Sequence, residues 1–381
     1  MPYAQGRVFH DADSHIMESG DWLAGYCDPS VRDRLIRLRL EAGGSLAEKA
    51  IQKAIERQAD AEATAQISSN VITGPKGWAA YGAMNRDERR AALDDLGFSS
   101  QLVFTTFAGS QFLRSKEMDV RYGGARALNR GIADFCAGDK RQIPVGVVPL
   151  DDAALAVEAA KEAIKLGCGA IWIPAAPAGD HSPGHVDLDP FWATLQEARI
   201  PFMLHVGAGT PVHPAAYFEN GRPKSTDWLG GGENLRGKDF VALSFAPQMF
   251  LTAMVFDGVF QRFPNLRGGV IELGAGWVTD FLRRLDHGWK SFGKSDAILA
   301  ELKTRPSEQI RNAVRFTPFP NEDLSAIMRE TGPDLLLFSS DYPHPEGTKN
   351  PIERFEGGLA AFGEDVKDKF YRRNFEYMMG A

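Results

Sequence analysis

A chain of 381 residues with 44% hydrophobic and 24% charged residues falls among ordinary globular proteins, which excludes the collagenous, disordered and bilayer-embedded classes. Its formal charge of −7 argues against a phosphate-collecting surface, so nucleic acid is excluded and a small-molecule partner is expected. Cys27, Cys136 and Cys168 form neither a disulfide framework nor a CxxC site, no basic leader precedes an apolar run at Met1–His10, and no stretch approaches a bilayer span, so a cytoplasmic protein with no membrane partner is expected.

Short runs rich in Val, Ile, Leu and Phe recur along the chain at residues 8–16, 101–106, 143–150, 168–174, 201–206, 266–273, 314–319 and 335–340, and each reads as a buried strand. Helical patterns fill the gaps at 86–96, 118–137, 152–166, 190–198, 247–263, 275–292, 322–330 and 351–379. Asp151 or Asp152 caps the third of these, and Asp189 before Pro190 looks like an N-cap followed by proline in the first turn. Gly167, Gly258 and Gly332 fall where a left-handed residue ends a helix.

Eight strands alternating with helices fit a closed parallel barrel or a doubly wound open sheet, and the count favours the (β/α)8 TIM barrel of the α/β class. No linker divides the chain, so 1–381 is expected to be one domain. Its extra length falls in two insertions, about 20–85 after the first strand and about 208–243 after the fifth. The first includes a helical pattern at 46–67; the second is rich in Gly and Pro and is positioned to act as a lid. A homodimer is the default expectation for such an enzyme.

Familiar nucleotide and hydrolase signatures are missing: Gly274-Ala275-Gly276 lacks its third glycine because Thr279 stands there, and there is no P-loop, GxSxG or HExxH motif. Chemistry is better sought at the C-terminal strand ends, which meet at one mouth of a barrel. The first strand closes in Asp11-Ala12-Asp13-Ser14-His15, where residues two apart share a face. The fifth ends in His205, the sixth in Glu272, and the eighth in Asp341 followed by Tyr342-Pro343-His344. Singly, a strand-end histidine is more often structural and an aspartate more often a turn residue. Together they make a mixed N/O shell for one divalent ion, Zn²⁺ or Mn²⁺.

In their order, Asp11–His15, 201–207, 256–277 with Gly258-Val259-Phe260-Gln261-Arg262-Phe263-Pro264-Asn265-Leu266, and Ser339-Ser340-Asp341-Tyr342-Pro343-His344 resemble the amidohydrolase 2 family, which includes aminocarboxymuconate semialdehyde decarboxylase. The resemblance implies a TIM barrel whose metal is held by Asp13, His15, His205 and Asp341. It also marks two departures: Asp13 replaces the first histidine of the usual H-x-H pair, and Glu272 replaces a strand-six histidine. A carboxylate at 13 shifts preference toward harder ions such as Mn²⁺. Asp341, His344 and Glu272 are the candidate catalytic groups, with a loop cap as the structural alternative for His344. His185 and His213 are candidate substrate contacts. His10, His181 and His287 read as surface residues, Trp277 and Phe281 as core, and Arg283 and Arg284 as a solvated helix face.

The expected activity is metal-dependent hydrolysis of a small carboxylated substrate through activated water. Non-oxidative decarboxylation of an aromatic or unsaturated acid at the same metal ranks second, and a non-catalytic barrel with a degenerate site third.

Overall fold

The fold follows from where the apolar runs stop. In the computed structural model, which describes residues 1–38, 40, 46–207, 213–223 and 237–380, seven of the runs form strands. They are β1 (His10–Ile16), β2 (Ser100–Thr105), β3 (Gln142–Val147), β4 (Ala170–Trp172), β5 (Phe202–His205), β6 (Gly268–Ile271) and β7 (Val314–Phe316). All pair in parallel in the order β1 to β7. Their residues are almost wholly buried, as strands covered on both faces must be.

The eighth run has no continuous ladder, yet it occupies the eighth place. Leu336 bridges Phe316 on one side, and Tyr342 bridges Ser14 on the other. Backbone N–H groups of Ala12 and His15 donate to the Phe338 and Tyr342 carbonyls at 3.0 and 2.7 Å. The sheet therefore curls until Leu335–Tyr342 touches both edge strands, which removes exposed edges.

The register sets the functional level. His15 lies opposite Phe104, and His205 opposite Ile271, so Glu272 follows one residue beyond His205. Close approach matters at Gly268, where an added Cβ would lie 2.2 Å from the Phe202 ring; glycine lets β6 settle against β5.

Several predicted helices prove to be two or more. The pattern at 46–67 divides into Leu46–Gln58 and Ala61–Ser68, because the Asp60 side chain accepts from the Glu62 and Ala63 N–H groups and starts a new helix. The pattern at 247–263 breaks at Gly258, whose φ of 74° separates Phe245–Phe256 from Val259–Arg262. The one at 351–379 breaks after Leu359 and again through a π turn at Lys369–Arg373. Asp152 caps its helix as expected, but Asp189 is the first residue of its helix and not the cap. Its carboxylate pairs with Arg262 at 2.9 Å.

Two further expectations are corrected. The stretch Gly237–Phe256 is long and apolar enough to cross a membrane by length and composition; here it is interrupted by a turn at Leu243 and Ser244, and it packs Phe250, Leu251, Met254 and Val255 into the core. His10 is no surface residue. Its ring stacks on Phe375 at 4.8 Å and Nδ1 lies 2.8 Å from Ser100 Oγ. Half of the expected lid, at 208–212 and 224–236, lies outside the described residues.

Candidate metal centre

Local chain chemistry brings the strand-end residues together. In β1 the alternation of Asp11, Asp13 and His15 is interrupted by a bulge between Asp11 and Ser14, and bulges re-aim side chains. Asp13 and His15 turn into the mouth, while Asp11 turns aside. The Asp11 carboxylate, fully buried, accepts from Ser340 N–H (2.7 Å), Ser340 Oγ–H (2.6 Å), Gln101 Nε2–H (2.7 Å) and Asp13 N–H (3.3 Å). Burial pushes its carboxyl up to about 7 against the pull of these donors. Asp11 thus ties β1 to the eighth segment immediately before Asp341.

The ligand atoms of Asp13, His15, His205 and Glu272 all lie within 4.8 Å of one another, as do those of His15, Glu272, Asp341 and His344. Nε2 of His15 is 3.1 Å from Asp13 Oδ1, 3.6 Å from Asp341 Oδ1 and 4.0 Å from Glu272 Oε2. Nε2 of His205 is 3.3 Å from Asp13 Oδ1 and 3.4 Å from Glu272 Oε2. Metal–donor bonds of about 2.0–2.2 Å put neighbouring tetrahedral ligands about 3.4 Å apart, so these spacings suit donors sharing one cation. His15 supplies a second test. Its nitrogens are buried without meeting hydrogen-bond geometry despite the short distance to Asp13, whereas His205 Nε2 does hydrogen-bond Asp13 Oδ1 at 3.3 Å. The residues fit a divalent ion.

Electrostatics favour the same state. Burial, reinforced by His344 and His205, pushes the His15 imidazole down to about 3, so it is neutral and able to ligate. Burial works against the Asp13 anion, but His205 and His15 more than offset it and hold the carboxyl well below its usual range. His205 Nδ1–H donates to the Val206 carbonyl at 2.9 Å, which fixes the tautomer and leaves Nε2 as the donor.

His344 stacks on His15 with ring centroids 4.1 Å apart. The Thr106 hydroxyl donates to the Ile16 carbonyl (2.7 Å) and so accepts from His344 Nε2–H (2.9 Å). This turns His344 Nδ1 toward Asp341 Oδ1, 3.1 Å away. Glu272 and Asp341 both have left-handed backbones, φ 54° and 52°, a strain that clusters at functional sites.

Aromatic rings pack against the histidines. Phe104 lies 4.4 Å and Trp172 5.2 Å from the His205 ring, centroid to centroid, and Phe104 5.7 Å from that of His15. Trp172 ends β4 and Thr106 ends the second apolar run, so attention to strand ends could have found these two. Glu18, also unforeseen, accepts from the N–H groups of Thr106, Phe107 and Ala108 at 3.0–3.3 Å and joins the β1 and β2 loops.

The other candidates lie apart from this convergence. His185 Nδ1 accepts from Asp187 N–H at 3.2 Å and its ring stacks on His181, so it caps a turn. His213 Nε2 bonds to the Lys238 carbonyl at 2.6 Å and its ring packs near Tyr217 and Phe218. Trp277 packs on Phe281 and Phe316, and Arg283 and Arg284 are exposed.

A barrel that gathers, at its strand ends, side chains able to hold a divalent ion fits a class of metal-dependent enzymes. The amidohydrolase family model (amidohydrolase 2 type) matches residues 69–374, and the chain belongs to that family. With family membership and decarboxylase relatives together, the chain is an enzyme of hydrolase or carboxy-lyase type. The gamma-resorcylate decarboxylase of Rhodococcus jostii (strain RHA1) is 24% identical over 297 residues, covering 74% of this chain and 84% of the relative. Among solved structures, an amidohydrolase from Mycobacterium avium subsp. paratuberculosis K-10 aligns with TM-score 0.77 at 22% identity, covering 99% of both chains. A 5-carboxyvanillate decarboxylase from Novosphingobium aromaticivorans aligns with TM-score 0.65 at 19% identity, covering 99% of this chain and 98% of the other. It was solved with bound manganese and 3-methoxy-4-hydroxy-5-nitrobenzoic acid. These likenesses show the fold.

One stability prediction arises at Asp11. Among the described residues, each hydrogen-bond partner of its carboxylate is a donor, so Asp11→Asn turns an amide N–H₂ against at least one of them. We expect a loss of about 2–4 kcal/mol in denaturant unfolding, with weaker Mn²⁺ binding because β1 and the eighth segment lose their shared anchor. Unchanged unfolding would remove Asp11 from that role.

Proposed function

We propose that the protein is a non-oxidative decarboxylase of an aromatic carboxylic acid, with Asp13, His15, His205 and Asp341 holding one divalent ion, Mn²⁺ favoured. The observation that carries this is the mixed character of the site: carboxylates and imidazoles converge in it, and the Phe104 and Trp172 rings pack against its histidines. These apolar surfaces suit an aromatic ring, and the decarboxylase names of the curated relatives support the same choice. This reverses the ranking drawn from sequence alone, which put hydrolysis first.

When bound, the ion supplies a positive anchor for the substrate carboxylate and an adjacent ring oxygen. Phe104 and Trp172 orient the ring and exclude water. The bond from ring carbon to carboxyl breaks with its electron pair left on the ring, that carbon takes a proton, and CO₂ leaves. His344, fixed by Thr106 and facing Asp341, is the group assigned to deliver that proton.

The experiment is product analysis with the Mn²⁺-loaded protein and 2,6-dihydroxybenzoate. The expected products are CO₂ and resorcinol, with one solvent deuterium at the vacated carbon in D₂O and no ¹⁸O taken from labelled water. Uptake of ¹⁸O into product without CO₂ release would restore the hydrolase.

A further inference from the structure

Behind the eighth segment lie two buried cations that the chemistry above does not use. Arg89, fully buried in helix Arg86–Leu96, donates through Nη2 to the His15 carbonyl, while its Nε and Nη1 have no hydrogen-bond partner. Lys76, from the chain between β1 and β2, has a buried Nζ that likewise has none. Both lie over one ring: the Arg89 guanidinium carbon and Lys76 Nζ are each 5.3 Å from the Tyr342 centroid. Tyr342 directly follows Asp341, is itself fully buried, and donates its hydroxyl to the Tyr81 carbonyl at 2.6 Å. The backbone of Gly77 donates to the Pro343 carbonyl at 2.8 Å, which pins the Lys76 segment to the loop carrying His344.

Among the described residues neither cation has a carboxylate at ion-pair distance, an expensive arrangement for buried charge. Cation–π contact with one phenol offsets only part of that cost. Charge balance supplies the missing reason. Asp13 and Glu272 in one candidate ligand group, and Asp341 in the second group that shares His15 and Glu272 with it, place three carboxylates around the mouth, with Asp11 directly behind, so one divalent ion leaves the site negative before any acid substrate arrives. The fields of Asp341 and Asp11 reach Lys76, and that of Asp11 reaches Arg89.

We propose that Lys76 and Arg89 are positioning residues, a cationic layer stacked on Tyr342 that offsets the excess negative charge of the metal group so that the loaded site accepts an anionic ligand. The inference rests on the metal reading of the site and names its ligand class as carboxylate anions; it does not depend on which bond is cleaved.

The two roles open to a buried lysine predict opposite signs. A structural prop, once removed, loosens everything it supports. A counter-charge, once removed, lets the cation bind more tightly while the anion binds more weakly. Lys76→Met, Lys76→Arg and wild type are compared at pH 7 by calorimetric titration, first with Mn²⁺ and then, on the loaded protein, with benzoate and with neutral phenol. For Lys76→Met we expect Mn²⁺ affinity to rise about tenfold and benzoate affinity to fall about tenfold, with phenol unchanged; Lys76→Arg should match wild type. A parallel loss of Mn²⁺ and benzoate binding, no change in either, or an arginine variant that behaves like the methionine one overturns the proposal, as does any other departure from the crossed pattern. Failure of the wild-type protein to decarboxylate 2,6-dihydroxybenzoate would count against the proposed reaction and leave these titrations fully readable.

Discussion

His205→Ala should leave the barrel standing and empty its mouth of metal. The imidazole is one of two in the converging group and its Nε2 faces both Asp13 and Glu272, so alanine leaves carboxylates crowded around one remaining nitrogen. We expect Mn²⁺ affinity to fall by more than the 10–100-fold typical of losing a mere supporting partner, and turnover to fall by at least about 10³-fold. The cost to folding is smaller. His205 sits at the end of β5, where its ring hydrogen-bonds the neighbouring Val206 carbonyl through Nδ1 and Asp13 Oδ1, at 3.3 Å, through Nε2, so truncation loses these and opens a cavity bordered by Phe104 and Trp172, worth about 2–3 kcal/mol. Metal content by mass spectrometry, near-ultraviolet circular dichroism and initial rates distinguish the outcomes. A variant that folds, retains one Mn²⁺ per chain and turns over normally would sink the ligand assignment.

How much of this was legible in the sequence depends on how local the signal is. An apolar run that stops at a polar residue is a one-dimensional pattern, and it marked Asp13, His15, His205, Glu272 and Asp341, which the fold brings into two overlapping groups sharing His15 and Glu272. It also ended at Thr106, whose hydroxyl does not advertise metal chemistry, whereas Trp172 lies inside the run 168–174 and is not marked by it. Arg89 lay beyond this reasoning. A charged residue in Arg86–Leu96 reads as solvated, and only the approach of β1 and Tyr342 buries it. Asp11 reads in sequence as one more member of the alternation with Asp13 and His15, but that it grips Ser340 across the closing seam depends on a contact 329 residues away in sequence. Helix ends failed for a related reason: Asp60 and Gly258 are strong local stops, whereas apolar periodicity continues on either side of them.

The eighth segment carries the second large effect. Asp341→Asn is expected to abolish turnover while sparing the fold, and the backbone explains why asparagine is the right probe. Asp341 has φ 52°, a left-handed conformation that Asn tolerates nearly as well as Asp and that most other side chains strain. Its N–H donates to the Asp13 carbonyl at 2.9 Å and its own carbonyl accepts from His344 N–H at 2.7 Å. None of these contacts depends on the side chain. The loop behind it is tight, since a Cβ at Gly347 would lie 2.9 Å from that of Asp341, so the isosteric amide fits where a larger group does not. The change removes the negative charge beside His15 and His344 and presents either an amide oxygen, a poorer ligand, or an N–H₂ that repels the cation. We expect Mn²⁺ to bind about 10–100-fold more weakly and turnover to stay at least about 10³-fold down even at saturating Mn²⁺, because the proton position opposite His344 is lost along with the ligand. The melting temperature of the metal-free protein should move by no more than about 2–4 °C. Recovery of full turnover by adding Mn²⁺ alone would restrict Asp341 to metal binding and take it out of the proton transfer.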